Sequence, residues 1–134
     1  MFIETPEKRI TRGDKEVFEF LSDLRNFEKL MPDNIEKFEV LSEDRFLFAL
    51  KGMPQIVLER KGQTEFSQLV LGAASDKLPF TLTADIIDQG DSQTDVKLSF
   101  EGEFNAMMAM MIKSPITNFM GTLSDNLSKI GESA

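Results

Sequence analysis

The chain has 134 residues, 41% apolar and 28% charged, which is ordinary usage for one globular domain and unlike a disordered or membrane-spanning chain. It contains no Cys, His, Trp or Tyr, so disulfides, thiolate or imidazole catalysis and zinc sites built from Cys or His are all excluded. The balance of 15 basic against 23 acidic residues gives a net charge of −8, which argues against nucleic acid and anionic membranes as partners.

Residues 1–12 have extended character interrupted by Pro6, which removes one ladder donor and suits an edge strand or bulge. The opening Met1-Phe2-Ile3-Glu4-Thr5-Pro6 lacks a basic segment followed by an apolar run, and no stretch nears the ~20 apolar residues of a spanning helix. A soluble, cytoplasmic protein without membrane insertion is expected. After Gly13, Val17, Phe18, Leu21 and Leu24 recur at helical spacing, with Asp14 as the expected N-cap. A second short helical turn opens at Asn26, carries Phe27 and Leu30, and ends at Met31-Pro32.

From Asn34 to Phe104 the period changes to two, predicting strands near 34–41, 45–51, 55–65, 67–74, 80–88 and 94–104. Turns fall at Ser42-Glu43-Asp44, Gly52-Met53-Pro54, Asp76-Lys77-Leu78-Pro79 and Gln89-Gly90-Asp91-Ser92. Phe80, Leu82, Ala84 and Ile86 share one face of their strand, as do Val96, Leu98, Phe100, Gly102 and Phe104 of the next, so one sheet face is apolar and the other wet. The acidic series Asp85, Asp88, Asp91 and Asp95 does not match a calcium loop and reads as a solvated turn. Asp23 and Arg25 read as a cap on the second helix or a local pair.

The segment 105–131 is helical in composition, and about 26 residues would reach ~39 Å, enough to cross a long sheet. Ile116, Phe119, Met120, Leu123, Leu127 and Ile130 form one apolar stripe. Ser114-Pro115 predicts a break, with a short Met-rich turn at 106–113 before the long helix. The cluster Met107, Met108, Met110, Met111 and Met120 has three readings: core filling, lining of a cavity for adaptable thioethers, or an exposed patch for a partner. Arg60 shares a strand face with Ile56 and Leu58. It reads either as an anchor for a carboxylate or carbonyl inside an apolar pocket, or as a strand-end residue reaching solvent along its stem.

With the elements so ordered, the run 17–32 resembles the polyketide-cyclase/dehydrase-like branch of the START and birch-pollen-allergen (SRPBCC) superfamily. The likeness lies in an aromatic-centred first helix at Phe18 and Phe20, then Ser22-Asp23, then a second helix closing on Pro32. The Met-rich run 105–119 with Ser114-Pro115 is similar to small bacterial members of that branch. The resemblance implies a single domain over 1–134 of α+β class. Its fold would be the helix-grip: a seven-stranded antiparallel sheet wrapped around a long C-terminal helix, with two short helices after strand 1. It implies binding or carriage of a small hydrophobic ligand such as a lipid, quinone or polyketide-like molecule between sheet and helix, without a cofactor or metal. Phe48, Leu58, Arg60, Leu82, Phe100, Met107, Met108, Met111, Phe119 and Met120 are the candidate binding residues. The glycine-rich loop of plant members is replaced here by Ser42-Glu43-Asp44, so no phosphate-cradling role carries over. Cyclase members use cavity Arg, Tyr, His or Trp, of which only Arg occurs here, so the composition weighs against an enzyme. The alternatives are a cyclase or dehydratase with Arg60 polarising a carbonyl and Thr64 beside it, and an interaction module using the Met-rich segment. A monomer or weak homodimer is expected.

Overall fold

The computed structural model describes residues 1–53, 55–74 and 80–130. The chain opens with two short strands, β1 (Phe2–Glu4) and β2 (Lys8–Ile10), both antiparallel to the last strand of the sheet. Pro6 lies between them, where the fixed φ and missing N–H interrupt pairing. Thr5 bridges the gap: its N–H donates to the Leu98 carbonyl at 2.9 Å and its hydroxyl accepts from the Leu98 N–H at 3.0 Å. The expected first strand is therefore present in two pieces, and the sheet has eight strands rather than seven.

Helix α1 (Asp14–Ser22) buries Val17, Phe18 and Leu21. Gly13, not Asp14, is the N-cap: its extended backbone offers the carbonyl to the Val17 N–H at 3.1 Å, and Asp14 begins the helix with its carboxylate on the Lys15 N–H. Asp23 ends α1 and caps the next turn by accepting from the Arg25 N–H at 3.2 Å. That turn is a 3₁₀ helix over Leu24–Leu30 rather than one starting at Asn26. Its buried residues Leu24, Phe27 and Leu30 recur every third position, the repeat of a 3₁₀ helix.

Six further strands form an antiparallel meander: β3 (Ile35–Ser42), β4 (Arg45–Leu50), β5 (Ile56–Thr64), β6 (Gln68–Ala73), β7 (Phe80–Gly90) and β8 (Gln93–Gly102). The order across the sheet is β1-β8-β7-β6-β5-β4-β3, with β2 beside β1 on the β8 edge. Alternation decides the inner face: Phe46, Phe48, Leu58, Leu71, Leu82, Ala84, Val96, Leu98 and Phe100 are all buried there. Asp91 and Ser92 both have positive φ, 54° and 59°, the type I′ geometry that matches strand twist in a two-residue hairpin. The turn expected at Asp76-Lys77-Leu78-Pro79 lies outside the described residues, as does Pro54 of the turn after β4. Asp95, expected on the wet side, is buried. Arg9 of β2 covers it with an ion pair, and Gln89 Nε2 donates to it at 3.1 Å.

Helix α2 (Ala106–Ile130) crosses the concave face. Asn105 caps it, its Oδ1 accepting from the Met108 N–H at 2.8 Å. The stripe is buried as expected at Ile116, Phe119, Met120, Leu123 and Leu127. The expected break at Ser114-Pro115 is absent: the helix runs unbroken through Pro115. The missing N–H leaves the carbonyl of Met111, an exposed residue that water can serve, while Ile112 and Ile116 stay in phase over the sheet. Burial of that stripe offsets the ~3 kcal/mol an interior proline costs. The arrangement is the helix-grip fold.

Candidate functional site

The space between α2 and the sheet is unevenly filled. At one end α1 and the 3₁₀ turn close the concavity, and Leu21, Phe27, Leu30, Leu69, Leu71, Leu98, Leu123 and Leu127 leave a void of only about 10 Å³. Phe46, with no exposed surface, sits there, stacked on Phe27 at 5.2 Å. Asn126 of α2 donates to the Leu30 carbonyl at 2.9 Å and ties the 3₁₀ turn to the long helix. At the other end only the first turns of α2 cover the sheet, and a cavity of about 370 Å³ remains.

Aromatic pairs build the walls of this cavity. Phe48 of β4 stacks on Phe119 of α2 at 5.0 Å and 4°, and Phe100 of β8 stands between Phe80 at 5.0 Å and Phe104 at 6.2 Å. Gly102 makes the last of these possible. A Cβ there would lie 2.6 Å from the Phe104 ring and 2.9 Å from Phe80 Cβ, so only glycine lets the chain fold the ring back across the end of β8. Ile56, Leu58, Leu82, Ile112, Pro115 and Ile116 complete the apolar surface. The exposed part of the described lining is Lys51 and Gly52 of the turn after β4 and Met111 of α2, with Met53 and Met108 half-buried. Backbone bonds hold that turn: the Lys51 N–H to the Asn34 carbonyl at 3.0 Å, and the Met53 N–H to the Leu50 carbonyl at 2.9 Å. Among the described residues, Lys51 is the one charged residue in the lining.

Of the residues expected from sequence, the fold brings Phe48, Leu58, Leu82, Phe100, Met108, Met111, Phe119 and Met120 around this cavity. Two lie elsewhere. Met107 points to solvent, 74% exposed, beside Met110 at 83%. The Met cluster thus divides among all three readings: Met120 in the core, where it also borders the cavity, Met108 and Met111 at the cavity, Met107 and Met110 on the surface. Arg60 corrects the expectation of a polar anchor. It keeps the inward face, pairing in register with buried Leu71, but lies at the closed end. Its guanidinium donates to Asp44 Oδ1 at 2.9 Å, to Gln63 Oε1 at 2.9 Å and to the Ser22 carbonyl at 2.6 Å. It joins the end of α1 to the β3–β4 turn. Thr64 is exposed at the far end of β5.

Sequence reasoning did not select Lys51, Met53, Ile56, Phe80, Phe104, Ile112, Pro115 or Ile116. Ile56, Phe80, Phe104 and Ile116 carried a signal, since each shares a strand face or helix stripe with a residue that was selected. Lys51 and Met53 lie in a turn, where periodicity has no meaning. A second, polar cleft of about 410 Å³ lies near Arg60, lined also by Asp23, Arg25, Ser42 and Glu43. Its cations are committed: Arg25 to Asp23 at 2.8 Å, Arg60 to Asp44. The Arg25 hydrogen bond holds the Asp23 carboxyl below its usual range. Among the described residues no three acidic groups gather as a metal site, and no helix is long and apolar enough to cross a membrane.

No protein-family model and no curated protein matches the sequence. Solved structures do match in fold. Norcoclaurine synthase from Thalictrum flavum, in complex with dopamine and hydroxybenzaldehyde, superposes with a TM-score of 0.76 at 13% identity, over 97% of this chain and 85% of that one. A START superfamily protein from Mycobacterium smegmatis gives 0.71 at 12% identity, over 98% and 97%. A protein from Thermus thermophilus gives 0.74 at 14%, over the whole of both chains. The chain has the START and birch-pollen-allergen type of fold.

Proposed function

We propose that the protein binds and carries a small hydrophobic molecule in the cavity between α2 and the sheet. The observation that carries this reading is the cavity itself: about 370 Å³ with walls of Phe, Leu, Ile and Met. That volume lies within the ~300–1,000 Å³ of small-molecule sites. At ~25 cal/mol per Å², roughly 330 Å² of buried apolar surface corresponds to micromolar affinity before association costs are subtracted. The fold is shared with a norcoclaurine synthase structure in complex with dopamine and hydroxybenzaldehyde, which supports small-molecule binding as a use of this fold. Thioethers at Met108 and Met111 adapt to guests of different shape, so affinity without sharp selectivity for the apolar body is expected.

Binding is favoured over turnover for a physical reason. The cyclase or dehydratase alternative needs a group to polarise a carbonyl, and the donors of Arg60 are engaged by Asp44, Gln63 and Ser22 at the closed end. No carboxylate is among the described residues of the cavity lining. The test is native mass spectrometry of protein purified from its own cells, together with titration by the neutral dye Nile red. A co-purified small molecule and saturable dye uptake are expected; a clean apoprotein that takes up no dye would overturn the reading.

The exposure of Met107 and Met110 favours a second reading, an apolar surface for a partner helix. It predicts partner capture or self-association that Met110→Glu abolishes, measured by sedimentation.

A further inference from the structure

We propose that the cavity prefers an amphiphile with an anionic head, an acid with an apolar body, and that Lys51 supplies this preference; the inference rests on the carrier reading above. An apolar chamber orients its guest by whatever polar group stands at the exposed part of its lining. Among the described residues that group is Lys51, one residue beyond buried Leu50 at the end of β4, with its backbone fixed on Asn34. Its residue is exposed, so the ammonium stays hydrated. Among the described residues no carboxylate pairs with it. Arg9, Arg25, Arg45 and Arg60, by contrast, each hold an acidic partner.

The chemistry of the guest follows from this arrangement. A neutral body fills the Phe and Ile surface, and an anionic head beside Lys51 meets an ammonium that pairs with no carboxylate among the described residues. A cationic head would be repelled at the same place. The chain's net charge of −8 does not reverse the preference, because charges beyond a Debye length of ~8 Å are screened whereas the head and Lys51 are in contact. The pair is exposed, so the discrimination is modest, about two- to five-fold.

The experiment is competition of decanoate and decanol against Nile red at about 0.15 M ionic strength, where the screening length is ~8 Å. Wild type is expected to bind decanoate about two- to five-fold more tightly than decanol. Lys51→Met should bring the ratio of decanoate to decanol affinity to about one, Lys51→Glu should turn it in favour of the alcohol, and 1 M NaCl should shrink the wild-type ratio. Since Lys51 is exposed, neither substitution removes core packing. Equal binding of acid and alcohol by wild type, or a preference that survives Lys51→Met, overturns the role of Lys51 and leaves the carrier reading standing. Failure of both compounds to displace bound dye overturns the amphiphile proposal alone, whereas a protein that takes up no dye overturns the two together.

Discussion

Ile116→Trp and Leu123→Trp place the same bulky ring on the same face of α2, two helical turns or about 10 Å apart. Both parent residues are buried, at 4% and 1% exposure. Their surroundings differ: Ile116 borders the cavity of about 370 Å³, whereas Leu123 borders a void of about 10 Å³. At Leu123 the added ring exceeds the free space, and overpacking costs about 1–3 kcal/mol, occasionally more. At Ile116 the ring enters hollow volume. Burial of roughly 50 Å² of added apolar surface is worth about 1 kcal/mol, enough to offset the ordering of the new side chain. Urea unfolding should therefore place Leu123→Trp well below wild type and Ile116→Trp at or above it, with unchanged m-values. Nile red uptake should fall at least ten-fold in Ile116→Trp and persist in whatever fraction of Leu123→Trp is folded. Equal destabilisation of the two variants would refute the division into a closed and a hollow end, and so would undiminished dye uptake by Ile116→Trp.

Gly102→Ala forces a Cβ to within 2.6 Å of the Phe104 ring and should cost about 1–3 kcal/mol in urea unfolding, a cost that shrinks in a Phe104→Leu background. Arg60→Met should lower stability by about 1–3 kcal/mol, because it unties α1 from the β3–β4 turn, while leaving Nile red affinity unchanged; a loss of binding would return Arg60 to the cavity. For Asp23, the hydrogen bond from Arg25 depresses the folded-state carboxyl, so its contribution is present above the unfolded-state pKa near ~4 and fades as pH falls through the lower folded value. Asp23→Asn, which retains an N-cap oxygen, should therefore differ slightly from wild type in denaturation midpoint at pH 7, and the gap should narrow as pH falls below ~4; a gap that stays constant over that range would remove the pair from the account.

The meander was legible because its inner face is apolar at every second residue: Leu82, Ala84 and Ile86 face Phe100, Leu98 and Val96 in register, so no other pairing buries them all. The stripe of α2 was equally plain. Pro115 was misleading because a local penalty is read directly from sequence, whereas the burial on either side that overrides it depends on the sheet beneath. The Asn105 cap was readable in principle, an amide immediately before a helical run. For Arg60 the strand alternation predicted the correct face, but its partners Asp44 and Ser22 lie 16 and 38 residues away, and no local pattern encodes which end of a concave face a side chain meets. The hollow follows from the same non-local cause. It exists where α1 and the 3₁₀ turn do not reach, a matter of how three helical segments share one sheet. The rim, built by the Lys51–Met53 turn, was the part least visible.

Three thioethers stand in water on one flank of α2, Met107, Met110 and Met111 at 74%, 83% and 68% exposure, while Met120 is shielded at 1%. With no cysteine in the chain, peroxide finds its first sulfur there. Sulfoxide formed at Met111 would set a dipolar S–O group on the lip of an oily chamber, so the same helix that shelters a guest also exposes its doorway to oxidative damage.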